Sequence, residues 1–370
     1  MRFSDIKHKI VNPMGFESLE SLRQAGYRVV RERDGDRYFL ARATELQPLL
    51  VKLGEIAEVR RGFTTGANEF FYLEPVGKSV QEVVQEAQKN PETPVRVRNG
   101  AGWEGEIEAA WLRPVIKSPR ELKTLLVRPE DLRYLVFMPP DDVRHAIDNG
   151  QTPPLDQYPH AKAYIEWGVW QGYHLRPTCA SRKWWWDLGN REAAFVNCNY
   201  LLDDRMRFYF SPNGVYVSDN FQELHGADVL TAALLGCPAT QILCELGGRT
   251  PFGGGLLKVQ TYEVETLFML NPICLSTSNR RKVISAFHRL SQRPIRSIFE
   301  ELGYPKPNKD YSNIDPDALT LEQVKQASPD RYELDSVIFD VLGLTDEERL
   351  MVYRAVVQLV KDRLVKAKSV

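Results

Sequence analysis

The chain has 370 residues, of which 43% are hydrophobic and 26% are charged, and its formal net charge at pH 7 is −1. These values are ordinary for a folded globular protein, and the length suffices for one large domain with a smaller one. A net charge near zero excludes a histone-like or tail-driven nucleic-acid binder, although it is compatible with a local basic face that contacts a duplex.

The cysteines and the N-terminus indicate where the protein resides. The five cysteines are odd in number and have no close-pair spacing. This pattern argues against a zinc site or a disulfide scaffold and predicts reduced, buried thiols in a cytoplasmic protein. Met1–Ile10 is charged and has no hydrophobic signal core, and no run of about 18 apolar residues occurs, so we expect no membrane span.

Residues 1–50 are interpreted as a short preamble. Glu17–Ala25 has the composition of a helix. Two short apolar runs flank Asp34-Gly35-Asp36, which predicts a β-hairpin.

Residues 51–275 are predicted to form one irregular domain, in which short aromatic or β-branched strands alternate with polar loops. Pro212-Asn213-Gly214 lies between two strand-like runs and predicts a tight hairpin turn. Asp228 is placed to cap a helix that Gly236 ends, and Pro238 opens another. The polar stretch 74–105 is interpreted as a variable excursion.

From Ser276 to the end, residues 276–370, the pattern becomes helical. Ser278 is the expected cap of the first helix, while Thr320 and Thr345 each begin a capping box. The last two helices form a predicted αα-hairpin that ends its first helix at Gly343, and each helix has a single apolar stripe. These stripes pack either within the chain or against a partner protein. The expected fold class is therefore α+β: a mixed-sheet domain with peripheral helices, followed by a helical region.

Catalytic constellations are not recognisable in the sequence. Asp203-Asp204 is the best carboxylate pair for a metal-dependent nuclease, but Arg205 and Arg207 follow it and favour a salt-bridged structural role. The six histidines are scattered, and no Gly-x-Ser-x-Gly elbow occurs. We therefore predict no catalytic residue and no metal site.

Four basic segments remain, each mixing cations with small polar or aromatic residues as a DNA-binding surface does. In the first, glycines allow close approach of the backbone to phosphate, and hydroxyls and amides can donate to it. Its candidate DNA contacts are Arg60, Arg61, Thr64, Thr65 and Asn68. The alternative is an ordinary turn between strands with both arginines solvated.

The second segment precedes and includes three successive tryptophans. Arginine paired with guanine is the most common specific base contact, and lysine is a good phosphate partner. The candidates are Arg176, Ser181, Arg182, Lys183 and Trp184. Because side chains alternate in an extended chain, at least one tryptophan is expected near the surface or a groove. The alternative assigns two tryptophans to the core and one to a surface anchor.

The third and fourth segments are a glycine-rich loop and an arginine-rich helix. Arg249 and Lys258 flank Gly253-Gly254-Gly255, which is either a loop that approaches DNA or a glycine hinge. Arg280 and Arg281 begin a stretch without acidic residues that either holds the DNA backbone or is a solvated helix face.

Several phrases occur in an order that resembles a known family, the type IIG and phage-defence adenine-N6 DNA methyltransferases of the restriction–modification class. They are Leu53–Leu73, Tyr164–Gly168, Arg176–Gly189, Asn199–Arg205, Val217–Phe221, Gly253–Tyr262, Glu333–Asp335 and Leu342–Arg349. The resemblance covers roughly residues 50–370 and corresponds to the C-terminal half of those enzymes. It implies a target recognition domain whose loops reach the major groove, followed by a helical region.

The sequence lacks the motifs that mark the catalytic half of that family. Pro139-Pro140 and Pro153-Pro154 lack the polar residue before and the aromatic residue after the prolines that would hold a flipped adenine. The triple glycine precedes a strand-like run, whereas a nucleotide loop would open a helix. S-adenosylmethionine is therefore expected on a methyltransferase subunit or a missing domain, and the chain is expected to bind double-stranded DNA without catalysing methylation alone. Two alternatives remain: a nuclease or transferase with an unrecognised site, and an interaction or inhibitory fragment that docks through its C-terminal helices.

Overall fold

The structure of the chain, a computed structural model, describes residues 10–11, 27–31, 38–42, 49–249, 255–308 and 310–366. The chain divides into two compact units, 1–51 and 52–370. In the first unit, β3 pairs antiparallel with β2, as the hairpin signal predicts, and parallel with β1. The predicted helix at 17–25 and the turn at 34–36 lie outside the described residues. The strands of this part are β1 (Ile10–Val11), β2 (Tyr27–Arg31), β3 (Tyr38–Arg42) and β4 (Leu50–Lys52).

The second unit is built on a nine-stranded mixed sheet, which confirms the expected α+β class. All neighbouring strands run antiparallel except β13 and β9, which are parallel. In spatial order the strands are β5 (Glu58–Arg61), β14 (Phe221–His225), β11 (Ala194–Asn199), β13 (Phe208–Val217), β9 (Leu112–Ile116), β10 (Tyr134–Phe137), β6 (Tyr72–Pro75), β7 (Pro94–Asn99) and β8 (Glu104–Glu108).

Short helices and strands surround this sheet. The helices predicted after Asp228 and at Pro238 are both present, and the Asp228 side chain accepts a hydrogen bond from the Thr231 amide as a cap. The peripheral helices are α1 (Asn68–Phe71), α2 (Val80–Lys89), α3 (Asp141–Asp148), α4 (Pro159–Trp170), α5 (Pro177–Ala180), α6 (Val229–Leu235), α7 (Pro238–Gly247) and α8 (Thr261–Glu265). The remaining strands are β12 (Leu201–Leu202), which pairs with β15 (Leu257–Lys258), and β16 (Phe268–Leu270).

Strand β13 corrects one expectation. The chain does not reverse at Pro212-Asn213-Gly214, because Phe210 before this tripeptide and Val215 after it both pair with β11. The tripeptide therefore forms a bulge within one continuous strand. Gly214 has the left-handed φ of 69° that the turn sequence favours. The left-handed conformation of Gly214 was predicted correctly, but the hairpin was not, because the direction of the chain depends on a partner strand that the tripeptide does not encode.

The polar stretch 74–105 is ordered structure rather than a variable excursion. Ser79 and Glu82 form a capping box that starts α2. In β7, Val95 and Val97 are buried while the residues between them are exposed, so this strand follows the alternation of a half-buried sheet. The many charged residues of the stretch lie on the outer faces of these elements.

The C-terminal region contains the predicted helices. Its first helix is capped by Ser276, two residues before the expected Ser278. Thr345 and Glu348 form the predicted capping box, and Gly343 is left-handed as predicted. Thr320 caps its helix by accepting from the Gln323 amide, but the described Gln323 side chain makes no return bond, so the capping box predicted there is wrong. Helix α12 packs along α9, and α13 packs along α7, so the stripe that contains Tyr353 is buried within the chain. The helices are α9 (Thr277–Gln292), α10 (Ile298–Glu301), α11 (Leu321–Ala327), α12 (Pro329–Leu342) and α13 (Asp346–Lys366).

An aromatic core on one side of the sheet fixes the chain that follows β5. The ring of Phe70 in α1 stacks on Tyr164 of α4, with centroids 4.5 Å apart. Trp111 packs against Phe137 at 4.9 Å and against Trp186 at 5.5 Å. Residues 60–68, which lead into α1, are therefore anchored at their C-terminal end by fully buried rings.

The described part of the chain contains no single membrane-spanning helix and no candidate metal cluster. No single helix there is long and apolar enough to cross a membrane; α6 and α7 would reach that length only as a pair, and they are bent by 68°. No group of three His, Cys, Asp or Glu side chains within these residues could hold a metal ion.

Candidate nucleic-acid interface

Residues 60–68 form a rigid turn after β5, at one edge of the large sheet. A Cβ on Gly62 would lie 2.1 Å from the Ser218 carbonyl oxygen, so only glycine fits there. Thr65 is 1% exposed; its hydroxyl accepts from the Ala67 amide and donates to Asn68 Oδ1. The structure thus corrects the expectation for Thr65, which holds the turn together from inside rather than offering its hydroxyl at the surface.

Both arginines of this turn are about half exposed and paired with carboxylates. Arg60 donates two hydrogen bonds to Glu58, at 2.7 and 2.8 Å. Arg61 Nε donates to the main-chain oxygen of Asp219 at 3.2 Å, and the Thr64 hydroxyl donates to the Asp219 carboxylate at 3.1 Å. Exposed ion pairs contribute little to stability because solvent screens them, so these arginines can change partners at little cost.

Arg182 joins the second segment to the turn. Its Nη2 donates to the Thr64 carbonyl oxygen at 2.7 Å and its Nη1 donates to the Trp185 carbonyl oxygen at 3.3 Å. The guanidinium lies 5.5 Å from the centre of the Phe71 ring, and burial lowers the Arg182 pKa from its usual value. This arginine therefore positions the turn through two of its donors, and the expectation that it contacts DNA stays a prediction.

The other residues of the second segment differ in availability. Arg176 pairs with Glu69 at 2.5 Å, and the Ser181 hydroxyl donates to the Thr178 carbonyl oxygen at 2.9 Å. Lys183 is exposed and makes no hydrogen bond or ion pair with any described residue. It is the candidate cation of this segment that remains free to contact a ligand.

The three tryptophans do not alternate, because the chain turns after α5 instead of extending. Trp186 is 2% exposed and belongs to the core, while Trp184 and Trp185 are half-buried. The rings of Trp184 and Trp186 lie 6.0 Å apart. Trp184 thus packs near the buried Trp186 ring, with part of its own surface exposed to solvent.

The third segment approaches the first through a shared tyrosine. The Arg61 guanidinium lies 4.3 Å, and Lys258 Nζ lies 5.2 Å, from the centre of the Tyr200 ring. Arg249 is paired with Lys258 through two main-chain hydrogen bonds and forms an ion pair with Glu263 at 3.0 Å. Residues 250–254 of the glycine-rich loop lie outside the described residues, so the expectation for the loop itself stays a prediction.

The fourth segment is separate. Arg280 donates to the carbonyl oxygens of Leu275 and Pro272 and closes the turn before α9. Arg281 is exposed and has no partner among residues 49–249, 255–308 and 310–366. No contact within these ranges joins either arginine to the other three segments.

Sequence reasoning missed two residues that complete the surface. Arg191 donates to the Arg61 carbonyl oxygen at 3.4 Å and is 29% exposed, and Asp219 links Arg61 with Thr64. Asp219 lies in the phrase Val217–Phe221 that contributes to the family resemblance, whereas Arg191 had no local signal.

The carboxylate pair Asp203-Asp204 has the structural role that the sequence favours. Arg207 pairs with Asp203 at 3.0 Å and with Asp204 at 2.5 Å. Asp204 also accepts a hydrogen bond of 2.6 Å from the Ile298 amide at the start of α10. These contacts tie the sheet to the helical region.

Comparison with known proteins gives one family match. Residues 120–301 match the family model for the C-terminal domain of the type II methyltransferase M.Eco57I. The resemblance seen in the sequence is confirmed. The matched residues include the second, third and fourth segments and do not include the turn at residues 60–68.

Solved structures and curated proteins were compared as well. The chain is similar, at 11% identity, to the type IIG restriction endonuclease BpuSI, covering 80% of this chain and 32% of that one with a TM-score of 0.37. It is also similar, at 11% identity, to the type IIL restriction-modification enzyme MmeI in complex with DNA, covering 93% of this chain and 42% of that one with a TM-score of 0.40. The chain thus spans less than half of either enzyme. No curated protein matches it.

Proposed function

We propose that this chain recognises double-stranded DNA for a cytoplasmic restriction–modification system that defends against phage. It acts as the target recognition part of an adenine-N6 DNA methyltransferase. The observation that carries the proposal is the convergence of three basic segments, far apart in sequence, on one surface. Arg182 binds the carbonyl oxygen of Thr64, and Arg61 and Lys258 lie against the same ring of Tyr200. The match of residues 120–301 to a type II methyltransferase domain supports the proposal.

The side chains divide into contacts and supports. We assign DNA contact to exposed or half-exposed groups with weakly held or no partners: Arg60, Arg61, Thr64, Asn68, Lys183, Arg249, Lys258 and Arg281. Thr65, Arg176, Ser181, Arg182, Trp184 and Arg280 hold the segments in place. Arg60 and Arg61 would exchange a surface carboxylate for phosphate, which is favourable because phosphate contact releases counterions from the duplex.

Methyl transfer belongs to another domain or subunit in this proposal. S-adenosylmethionine and the flipped adenine would be held there, while this chain fixes the position and register of the duplex. If the chain alone transfers labelled methyl groups from S-adenosylmethionine to DNA, or cleaves DNA with magnesium, the alternative of an unrecognised catalytic site is correct instead.

Duplex binding across a salt series tests the proposal. Fluorescence anisotropy of a labelled duplex would compare the wild type with Lys183→Glu and with Lys325→Glu, which changes an exposed lysine on α11. We expect Lys183→Glu to weaken binding and to reduce the slope of log K against log salt by about 0.9 for each lost phosphate contact. Lys325→Glu should behave as wild type. Absence of duplex binding, or equal losses in both variants, would refute the assignment.

A further inference from the structure

A polar cavity of about 480 Å³ opens beside the turn, next to Asn68. Its floor is one face of the adjacent strands β10, β6 and β7. Glu74 lies opposite Arg98 in the strand register, and Tyr72 and Tyr134 are on the same face because residues two apart point to the same side. Lys117 completes the wall just after β9. The fold itself thus builds the cavity.

The carboxylates that line this cavity are already compensated. Glu74 accepts hydrogen bonds from Arg98 at 2.7 and 3.2 Å and from Arg133 at 2.9 and 3.1 Å. Glu69 is paired with Arg176 at 2.5 Å. The carboxylates are therefore neutralised by arginines, which argues against a site for a metal cation.

Two donors in the cavity remain unused. Asn68 accepts through its Oδ1 from Thr65, which fixes the amide and leaves Nδ2 without a partner among the described residues. Lys117 Nζ lies 3.8 Å from the centre of the Tyr134 ring and 5.2 Å from that of Tyr72, and it too donates to no described acceptor. The lining thus combines aromatic surface with two hydrogen-bond donors that no described residue engages.

We propose that this cavity binds a single nucleobase through an edge that carries acceptors, as the N7 and O6 atoms of guanine do. Lysine is a common donor to this edge of guanine, and an asparagine amide nitrogen can donate to a purine N7. The volume lies in the range of roughly 300–1,000 Å³ that holds small planar ligands, whereas an intact duplex is too wide to enter. The base is either one displaced from the DNA held by the neighbouring turn, in which case the inference rests on the proposed function, or that of a free nucleotide.

Two sets of measurements distinguish these sources. The first compares the affinity of the protein for a paired duplex and for the same duplex with one unpaired guanine. An unpaired base costs less to unstack, so we expect the unpaired guanine to increase affinity about tenfold. The second titrates deoxyguanosine monophosphate, with inorganic phosphate as the control ligand.

The variants are Lys117→Met and Tyr134→Leu in the cavity, with Lys123→Met as a control at an exposed lysine outside it. Both cavity variants should lose the preference for unpaired guanine while still binding the paired duplex. Binding of the free nucleotide to wild type and control alone, without that preference, would support the site with a free nucleotide as its ligand. The proposal is overturned if neither probe distinguishes the cavity variants from Lys123→Met. Failure of all duplexes to bind, with nucleotide binding intact, would refute the proposed function and not the base site.

Discussion

Arg205 and Glu301 form a buried two-point ion pair, with N–O distances of 2.7 and 2.8 Å, where the sheet meets the helical region. Arg331 and Arg293 approach the same carboxylate at 3.2 and 3.1 Å. One carboxylate at the end of α10 therefore gathers three guanidinium groups from separate parts of the chain.

Glu301→Gln should destabilise the protein strongly. Removing one partner of a buried ion pair leaves uncompensated charge inside and costs about 3–5 kcal/mol. Glu333→Gln is the matched control, because it removes the exposed partner of Arg289, for which about 0–1 kcal/mol is expected. Urea denaturation would measure both, and similar losses in the two variants would contradict the structural role of Glu301.

The contribution of Glu301 should depend on pH. Burial raises the pKa of Glu301, but the charges of Arg205, Arg331 and Arg293 outweigh burial and hold the pKa well below its usual range. A carboxyl with a depressed folded-state pKa contributes its full stability above the unfolded-state value of about 4.3, and loses it as the pH falls towards the folded-state pKa. The difference in unfolding free energy between wild type and Glu301→Gln should therefore shrink below about pH 4. A constant difference across this range would argue against the depressed pKa.

Gly66→Ala should be more harmful than Gly77→Ala. Both glycines have left-handed φ values, 78° and 75°, so each alanine has a similar backbone strain of about 1–2 kcal/mol. A Cβ at Gly66 would also lie 2.7 Å from Thr178 Cβ, whereas nothing lies within 4 Å at Gly77. Thermal unfolding should show a larger loss for Gly66→Ala. Equal losses would mean that the turn and α5 are not in close contact.

Arg182→Ala and Lys183→Ala should distinguish a residue that stabilises the turn from a residue that contacts DNA. Arg182→Ala removes a charged donor from the Thr64 carbonyl oxygen, so it should lower the unfolding free energy by about 1–3 kcal/mol and weaken DNA binding with it. Lys183→Ala should reduce duplex affinity while leaving thermal stability unchanged, because the side chain has no partner among the described residues. If calorimetry showed the stability loss in Lys183→Ala, and anisotropy showed a loss of affinity without a stability loss in Arg182→Ala, the two roles would be reversed.

Thiol labelling should be slow at four of the five cysteines. Burial raises the pKa of Cys198 to about 12 and raises the pKa of Cys237, Cys244 and Cys179 as well, so little reactive thiolate forms near neutral pH. Cys274 is half-buried. A thiol reagent should modify the native protein at no more than this one position quickly, and all five after denaturation. Rapid labelling of several thiols in the native protein would contradict the packing.

Features that depend on neighbouring residues were predictable from the sequence. The caps at Asp228, Thr320 and Thr345, and the end of α12 at Gly343, each involve side chains or φ values within one helical turn. The bulge in β13 was not predictable, because its direction depends on pairing with β11, which lies elsewhere in the chain.

The same limit applies to the candidate interface. A sequence identifies Arg182 as a cation, but the carbonyl oxygen that engages it belongs to Thr64, 118 residues away. The burial of Thr65 likewise follows from the packing of α5 against the turn. Exposed Lys183 and Arg281 fit the expectation of a free cation, because none of the described residues pairs with them.

The contacts around Glu301 limit where two related chains can be joined in a chimera. A chimera that takes residues 51–275 from one parent and the helices from another separates Arg205 from Glu301, while Arg293 and Arg331 stay with the carboxylate. The incoming carboxylate would therefore have to match the position of Arg205. If the proposed function is correct, exchange of DNA specificity between relatives should therefore succeed when the sheet and the helices through α12 are transferred together. Substitutions in the turn at residues 60–68 are a second route, because they leave the contacts of Glu301 unchanged.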